Sequence, residues 1–519
     1  MMELKKQIDQ IFYRWDHADT PGGQVAVRHH GKLIYSRCFG LSNMEHRIPV
    51  TEDTCFHVAS VSKQVTVLSM LLLVEEGKVS LDEDIRTYLP DLVSFKEPVT
   101  VRNLMNNNSG IRDQWGLLEM RGIRYTDTIS MTDLLETLRP QKHLNFAPGS
   151  RYLYSNSNFT LIAEIVRRIS GQDLPEFAKE RIFEPLGMKH TFIRRGVWDT
   201  VPGISSSYSD NGFGTFELSP LNFALWGATS MNTTVWDLLT LLEHYHNPTI
   251  CTRATVEEMK KTPILSDGSV SPYAGGLFAG EHKGHAYIEH SGADAAFRAQ
   301  VFSFEQDELD IAIVTNTANT PAGIAARKIA DLVLGLPQDE LPQPPANLTE
   351  PVAGRYFFTG AEGEGTMEIV QDGTGWAVKH RRGSVPLIAD GQGGYQIGYL
   401  DEKVYFDQNG LLTGIPGKPL TPMQRLEQAS AQGREELLGE YYSDDLETVT
   451  RIYEQDGLLW GWHFRFGAGP LMAVEGDHYV YLQGGDTDLN LHFLRGEQGE
   501  PTGFSMECSR CLNMVCTKQ

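Results

Sequence analysis

Cysteine is scarce in this chain: six in 519 residues, too sparse for a disulfide framework and in keeping with a reducing compartment. Positive charge is also short. Lysine and arginine number 45 against 67 aspartates and glutamates, a formal net charge of −22, so neither nucleic acid nor an anionic membrane surface is an expected partner. A cationic or neutral small substrate fits better. No stretch approaches ~18 apolar residues, and the opening MMELKKQIDQIFYRWDHAD breaks its apolar residues with charges every few positions. Neither a membrane span nor a signal-peptide core is therefore expected, and the expectation is a cytoplasmic protein. At 41% hydrophobic, a chain of this length exceeds one core and calls for about two to four domains.

What is present begins with GGQVAVRHHGKLIYSRCFG, two alternating β runs around a His-Gly-Lys turn. CFHVASVSKQVTVLSMLLLVEEG, residues 55–77, predicts a helix from about Val61 to Glu76, stopped by Gly77. Helical patterns follow at SMTDLLETLRP, NFTLIAEIVRRISG and VWDLLTLLEHYH, then strands at AYIEHSG, RAQVFSF and LDIAIVTNT, and a closing helix at AGIAARKIADLVLG. Strands from both ends of this region are expected to share one sheet, with helices between. LPQDELPQPPANLTEP, residues 336–351, holds five prolines without periodicity and reads as a linker after a domain of residues 1–335.

Beyond the linker the chain repeats itself. VAGRYFF (352–358) matches LLGEYYS (437–443), and MEIVQDGTGWAVKH matches TRIYEQDGLLWGWHF; 85 residues separate Gly354 from Gly439, and 84 separate Asp372 from Asp456. A period of that size is a domain. Two tandem antiparallel β-barrels or sandwiches are expected, at 352–420 and 436–519, with a polar connector between them.

The long helix poses a chemical question, because its buried start carries Ser60 and Lys63. Residues at i and i+3 share a helix face, so Oγ and Nζ come together, and the helix N-terminus favours negative charge at Ser60. That suits an activated serine nucleophile with lysine as its base. The pattern alone is weak: about two S-x-x-K matches are expected by chance at average composition, and a helix cap with a snorkelling lysine is the plain alternative. In FAPGSRYLYSNSNFTLIAEIV, a Pro-Gly turn before a helix presents Tyr154, a phenol, and Asn156, which both donates and accepts. Asn156 or Asn158 acting only as a cap is the alternative there. In AYIEHSGADAAFRAQVFSF a strand ends at His290, Ser291 and Gly292, where glycine permits close approach to a ligand; the alternative is an ordinary hairpin.

With S-x-x-K, Y-x-N and H-x-G in this order, and with NLMNNNSGIRD, FAPGSRYLYSN and RIFEPLGMKHT between them, the chain over roughly residues 8–335 resembles the penicillin-recognising serine hydrolases: class C β-lactamases, DD-peptidases, related esterases and D-aminopeptidases. It is most similar to the D-aminopeptidases, which also carry His in place of Lys-Thr-Gly and append two β-barrels. The resemblance implies an α/β (α+β) β-lactamase/transpeptidase-like domain, with a central antiparallel sheet flanked by helices, followed by the two barrels. It implies Ser60 as nucleophile, Lys63 and Tyr154 as the proton-transfer pair, and Asn156 orienting Lys63 and the substrate. His290 would line the site on the edge strand, Gly292 would belong to the substrate-binding strand, and the backbone N–H groups of Ser60 and Ala293 would form the oxyanion hole. The expected substrate is a small peptide or an amino-acid amide or ester, with no cofactor or metal needed and homodimer formation left open.

Neutral, short His290 weakens carboxylate recognition compared with lysine. That disfavours a DD-carboxypeptidase or potent β-lactamase and favours peptides, amides or esters recognised by some other group; the resemblance implies a D-stereospecific aminopeptidase, with a promiscuous esterase, weak β-lactamase or D-peptidase as the alternative. For the substrate ammonium, the loop LQGGDTDLN offers Asp486 and Asp488, with a solvated turn as the plain alternative. A pocket that binds ligand without turnover is the second functional class, and intact Ser60, Lys63, Tyr154 and Asn156 argue against it. His282, His285 and His290 lack a recognised metal-ligand spacing, Cys508, Cys511 and Cys516 give one C-x-x-C without a second pair, and KHRRG at 379–383 is a basic turn in an acidic chain.

Overall fold

The computed structural model describes residues 2–519 apart from 211–214, 361–362, 374, 381–382, 399–401 and 484–487. Its first domain is built on a six-stranded sheet in the spatial order Phe278–His282, His285–Asp294, Phe297–Phe304, Leu309–Thr315, Gly23–His29, Lys32–Phe39. Every neighbouring pair is antiparallel. The two chain ends of the domain meet where Gly23 lies opposite Thr315, so the expectation of one shared sheet holds. Period-two alternation sorts the side chains: Val25 and Val27 pack with the helices Met2–Phe12 and Ala322–Leu334, while Ala26 faces the core that contains the long helix.

That helix spans Lys63–Glu75, and every residue from Lys63 to Leu73 is buried. A helix buried on all sides belongs inside a protein, and here it packs on the helices Asn156–Ser170, Leu174–Ala178 and Arg253–Lys260. It is preceded by a 3₁₀ turn, Ala59–Ser62, so the serine sits on a turn before the helix and not in its first α turn. No described helix is long and apolar enough to cross a membrane.

The C-terminal region holds two closed eight-stranded antiparallel barrels. Gly354–Gly360 pairs with both Gly363–Asp372 and Thr421–Gln428, closing the first; Gly467–Glu475 pairs with both Leu458–His463 and His478–Tyr481, closing the second. The internal repeat has a physical counterpart: Tyr356 donates to the carbonyl of Val352 and Tyr441 to that of Leu437, each at 2.7 Å. The polar segment after 420 departs from expectation. Thr421–Gln428 is the strand that completes the first barrel: Met423 turns into that barrel's core, while Leu426, three residues on and so on the other face, packs with Phe357 and with Val480 of the second barrel. Glu427 and Gln428 then pair with Ala473 and Met472, joining the barrels edge to edge.

The second barrel docks on the first domain through a buried arginine. Arg112, 1% exposed, donates to Asp445 Oδ2 (2.7 Å), Gln141 Oε1 (3.0 Å) and the carbonyls of Leu512 (3.1 Å) and Asn513 (2.8 Å). A buried guanidinium is tolerated only when paired and hydrogen-bonded in this way.

Candidate active site

Ser60 opens into a cavity of about 490 Å³ whose walls include Tyr154, Asn156, His290 and Ala293. The turn that presents it is strained: Ala59, buried and with a Cβ, has φ +47°. Ser62 holds this turn by donating to the carbonyl of Ala59 at 2.5 Å and accepting from the Met231 N–H at 3.1 Å. Its hydroxyl is committed to structure.

Lys63 Nζ makes three contacts: Ser60 Oγ at 3.0 Å, Asn156 Oδ1 at 2.8 Å and the Ala228 carbonyl at 2.7 Å. Burial pulls its pKa down from 10.5 to about 7, against the opposing pull of the Asp294 and Asp113 charges. An amide oxygen and a carbonyl oxygen can only accept. When Lys63 gives up a proton, its lone pair must therefore face the Ser60 hydroxyl, which is the arrangement a general base requires.

Asn156 begins the helix Asn156–Ser170, and its orientation is fixed by a residue that sequence reasoning did not single out. Asp113 Oδ2 accepts from the Asn156 backbone N–H at 2.7 Å and from its Nδ2 at 2.8 Å, which turns Oδ1 toward Lys63. Asp113 lay within the recognised stretch 103–113, but nothing in the local sequence tells a helix-capping aspartate from one that also orients an amide across the fold.

Tyr154 is buried against Phe278 and Tyr273, and its hydroxyl is in hydrogen-bonding reach of Ser60. Burial raises its pKa well above that of a free phenol, with the Ser60 contact and Arg510 pulling the other way, so it stays protonated. His290 is buried and neutral: burial first, then Lys63, lowers its pKa to about 3. Its Nδ1 is 2.6 Å from the Ser291 carbonyl and so carries the proton, leaving Nε2 to accept from Tyr273 Oη at 2.9 Å. Tyr273, also missed in the sequence, therefore takes up the ring nitrogen that would otherwise face the pocket.

The strand of His290 is second from the edge of the sheet, and it runs on to Asp294 instead of ending at Gly292. Its edge neighbour stops pairing at Glu289, opposite Phe278, so residues 290–294 project past that neighbour. Ala293 lines the cavity with Ser60. Gly292 has another use: a Cβ there would lie 2.2 Å from the Val58 carbonyl oxygen and 3.3 Å from Ala59 Cβ. The glycine lets the strand approach the nucleophile turn, not a ligand.

The second barrel does reach the cavity, by a different hairpin from the one expected. Strands Pro501–Cys508 and Cys511–Lys518 are joined by Ser509 and Arg510, and Cys508, Ser509 and Arg510 line the cavity wall. The Arg510 guanidinium lies 4.9 Å from the centre of the Tyr154 ring and 3.9 Å from Asp113 Oδ2. Asn145 Nδ2 donates to the Arg510 carbonyl at 2.9 Å, and Cys511 Sγ donates to that of Asp113 at 3.1 Å. Asp488 is placed elsewhere: it pairs with Arg355 at 2.9 Å and accepts from Thr366, both in the first barrel. Asp486 lies outside the described residues. His282 and His285 likewise go to separate partners, Asp331 at 2.7 Å and Asp307 at 2.9 Å.

Comparison with known proteins agrees with this geometry. The family model described as Beta-lactamase matches residues 9–335. A D-aminopeptidase of Brucella anthropi is 28% identical over 510 residues, covering 95% of this chain and 94% of its own. Among solved structures, the octameric penicillin-binding protein homologue from Pyrococcus abyssi aligns with a TM-score of 0.57 at 20% identity, covering 90% of this chain and 99% of its own. The D-amino acid amidase from Ochrobactrum anthropi SV3 aligns with a TM-score of 0.53 at 21% identity, over 64% of this chain and 99% of its own. These likenesses, with a family match over most of the chain and a serine–lysine pair in place, make the chain a member of the Beta-lactamase family.

Proposed function

We propose that this chain is a serine hydrolase that releases N-terminal D-amino acids from peptides or amides through an acyl-enzyme on Ser60. The observation that carries the chemistry is the Lys63 contact set, in which only Ser60 Oγ can donate to a neutral amine. Lys63 takes the Ser60 proton as Oγ attacks the substrate carbonyl. The backbone N–H groups of Ser60 and Ala293 hold the resulting oxyanion, a role of preorganised donors worth several kcal/mol in such sites, about 3–4 per donor. Protonated Tyr154 supplies the proton to the leaving amine, and the proton that Lys63 took from Ser60 goes back to the phenolate, since the acylated Oγ has none to relay. Water then attacks the ester by the reverse proton route.

The aminopeptidase and stereochemical parts are supported by the Brucella anthropi relative named D-aminopeptidase, whose likeness runs through the catalytic domain and both barrels. Charge in the cavity also supports a free amine. Asp113, Glu119 and Asp294 line it alongside Arg510, while His290 is neutral. Ammonium recognition is thus assigned to the acidic wall of the catalytic domain, since Asp488 is held by Arg355.

The test is a parallel assay with D- and L-alanine p-nitroanilides, N-acetyl-D-alanine p-nitroanilide, a p-nitrophenyl ester and nitrocefin. A preference for the free D-amine by about ten- to a hundredfold over the acetylated one is expected, the worth of one desolvated ammonium–carboxylate contact. Preference for the ester or nitrocefin, or for the acetylated amide, would transfer the assignment to the esterase or β-lactamase reading.

A further inference from the structure

Far along the chain from the catalytic residues, the seam between the two barrels gathers three metal-binding side chains. Glu364 comes from the strand Gly363–Asp372 of the first barrel, His478 and His492 from the neighbouring strands His478–Tyr481 and Leu489–Arg495 of the second. The two histidines are direct cross-strand partners, so their rings stack with centroids 4.0 Å apart. Glu364 Oε2 lies 3.5 Å from His478 Nε2 and 4.0 Å from His492 Nε2, and the three ligand atoms all fall within 4.8 Å of one another. That carboxylate oxygen is buried and takes part in no hydrogen bond. A buried, unbonded carboxylate oxygen facing two imidazole nitrogens is costly unless a cation completes it.

We propose that Glu364, His478 and His492 form a divalent-metal site, suited to Zn²⁺, that fastens the second barrel to the first. Tetrahedral Zn²⁺ with bonds of about 2.0–2.2 Å holds its ligand atoms about 3.3–3.5 Å apart, so small side-chain rotations close this set around an ion. The donor set, two imidazoles and a carboxylate, is one that Zn²⁺ accepts, and Asn490 Oδ1, 3.0 Å from His478 Nε2, or water can take the fourth position. The site is structural. It sits beside the Arg355–Asp488 ion pair and the edge-on contact of Phe357 with His478, in the same seam. Metal binding there adds its free energy to the barrel–barrel interface, because the unfolded chain does not preassemble the ligands.

The experiment is a Zn²⁺ titration of the full chain after chelator treatment, by calorimetry with metal analysis, together with thermal melts and the visible spectrum of the Co²⁺ form. One Zn²⁺ per chain, a higher Tm on loading and a tetrahedral Co²⁺ spectrum are expected. Glu364→Gln and His492→Gln should each weaken Zn²⁺ binding about 100-fold, at least the cost of losing an outer-shell partner of a metal, while leaving the circular dichroism of the metal-free chain unchanged. Absence of stoichiometric binding, or binding that both substitutions leave intact and that therefore sits on other groups such as the cysteine thiols, would overturn the proposal.

Discussion

The guanidinium of Arg510, at the tip of a second-barrel hairpin, lies 4.9 Å from the centre of the Tyr154 ring in the catalytic domain. The barrel thus contributes a charge beside the phenol that is to donate a proton. Arg510 opposes the rise in the Tyr154 pKa caused by burial. Arg510→Met should lower kcat about fivefold, the scale of one cation–π or screened charge contact of ~1 kcal/mol, and Arg510→Lys should restore most of it. Equal turnover in Arg510→Met, with Tm unchanged, would make the hairpin a wall and nothing more.

The catalytic pair should act as one unit. Tyr154→Phe and Lys63→Ala are each expected to cost roughly 10³-fold or more in kcat, and the double variant little beyond the worse single, because members of one proton route are not additive. Steady-state kinetics of the four proteins decides this; additive losses would separate the two roles.

Acidity enters through Lys63. Its folded pKa is about 7 and its neutral form is the base, so kcat/KM should rise with pH through about 7 and then level. Stability moves by a different set of groups. Burial holds His290 at about 3 and His244 and His463 at about 4, all below 6.5, so between those values and pH 6.5 the unfolded chain binds protons that the folded chain refuses. Folding free energy should therefore fall as pH drops from 6.5 toward 4. Denaturant unfolding of His244→Gln should show a shallower loss over that window.

Arg112 predicts what happens when the second barrel is disturbed. Asp445→Asn leaves a buried guanidinium without its carboxylate and should cost about 3–5 kcal/mol, read as a shift in denaturant midpoint, whereas Arg112→Met with Asp445→Leu should recover much of it. Deleting residues 436–519 should for the same reason unfold or aggregate the catalytic domain instead of altering its substrate preference selectively.

What the sequence reveals here follows from range. The Ser60–Lys63 spacing at the entry to a buried helix, the glycine-stopped helices and the 85-residue repeat are local patterns, and periodicity is enough to expose them. Tyr154 and Asn156 are legible because their turn and helix are contiguous. Asp113, Tyr273 and Arg510 are not, since each acts through a contact with a partner distant in sequence: Asp113 on Asn156, Tyr273 on His290, Arg510 on Tyr154. Asp488 misled for the reverse reason, as an acidic residue in a Gly-rich loop carries no sign that Arg355 will claim it. The Glu364–His478–His492 cluster has no sequence spacing at all, because strand register and the packing of two barrels bring it together.

The most direct measurement of the central claim is active-site labelling with a fluorophosphonate, followed by peptide mass mapping and residual turnover of D-alanine p-nitroanilide. Stoichiometric label on Ser60, loss of turnover in proportion to labelling, and no label in Ser60→Ala are the predicted result. Label on Ser62, or full labelling of Ser60 that leaves turnover intact, would contradict the account.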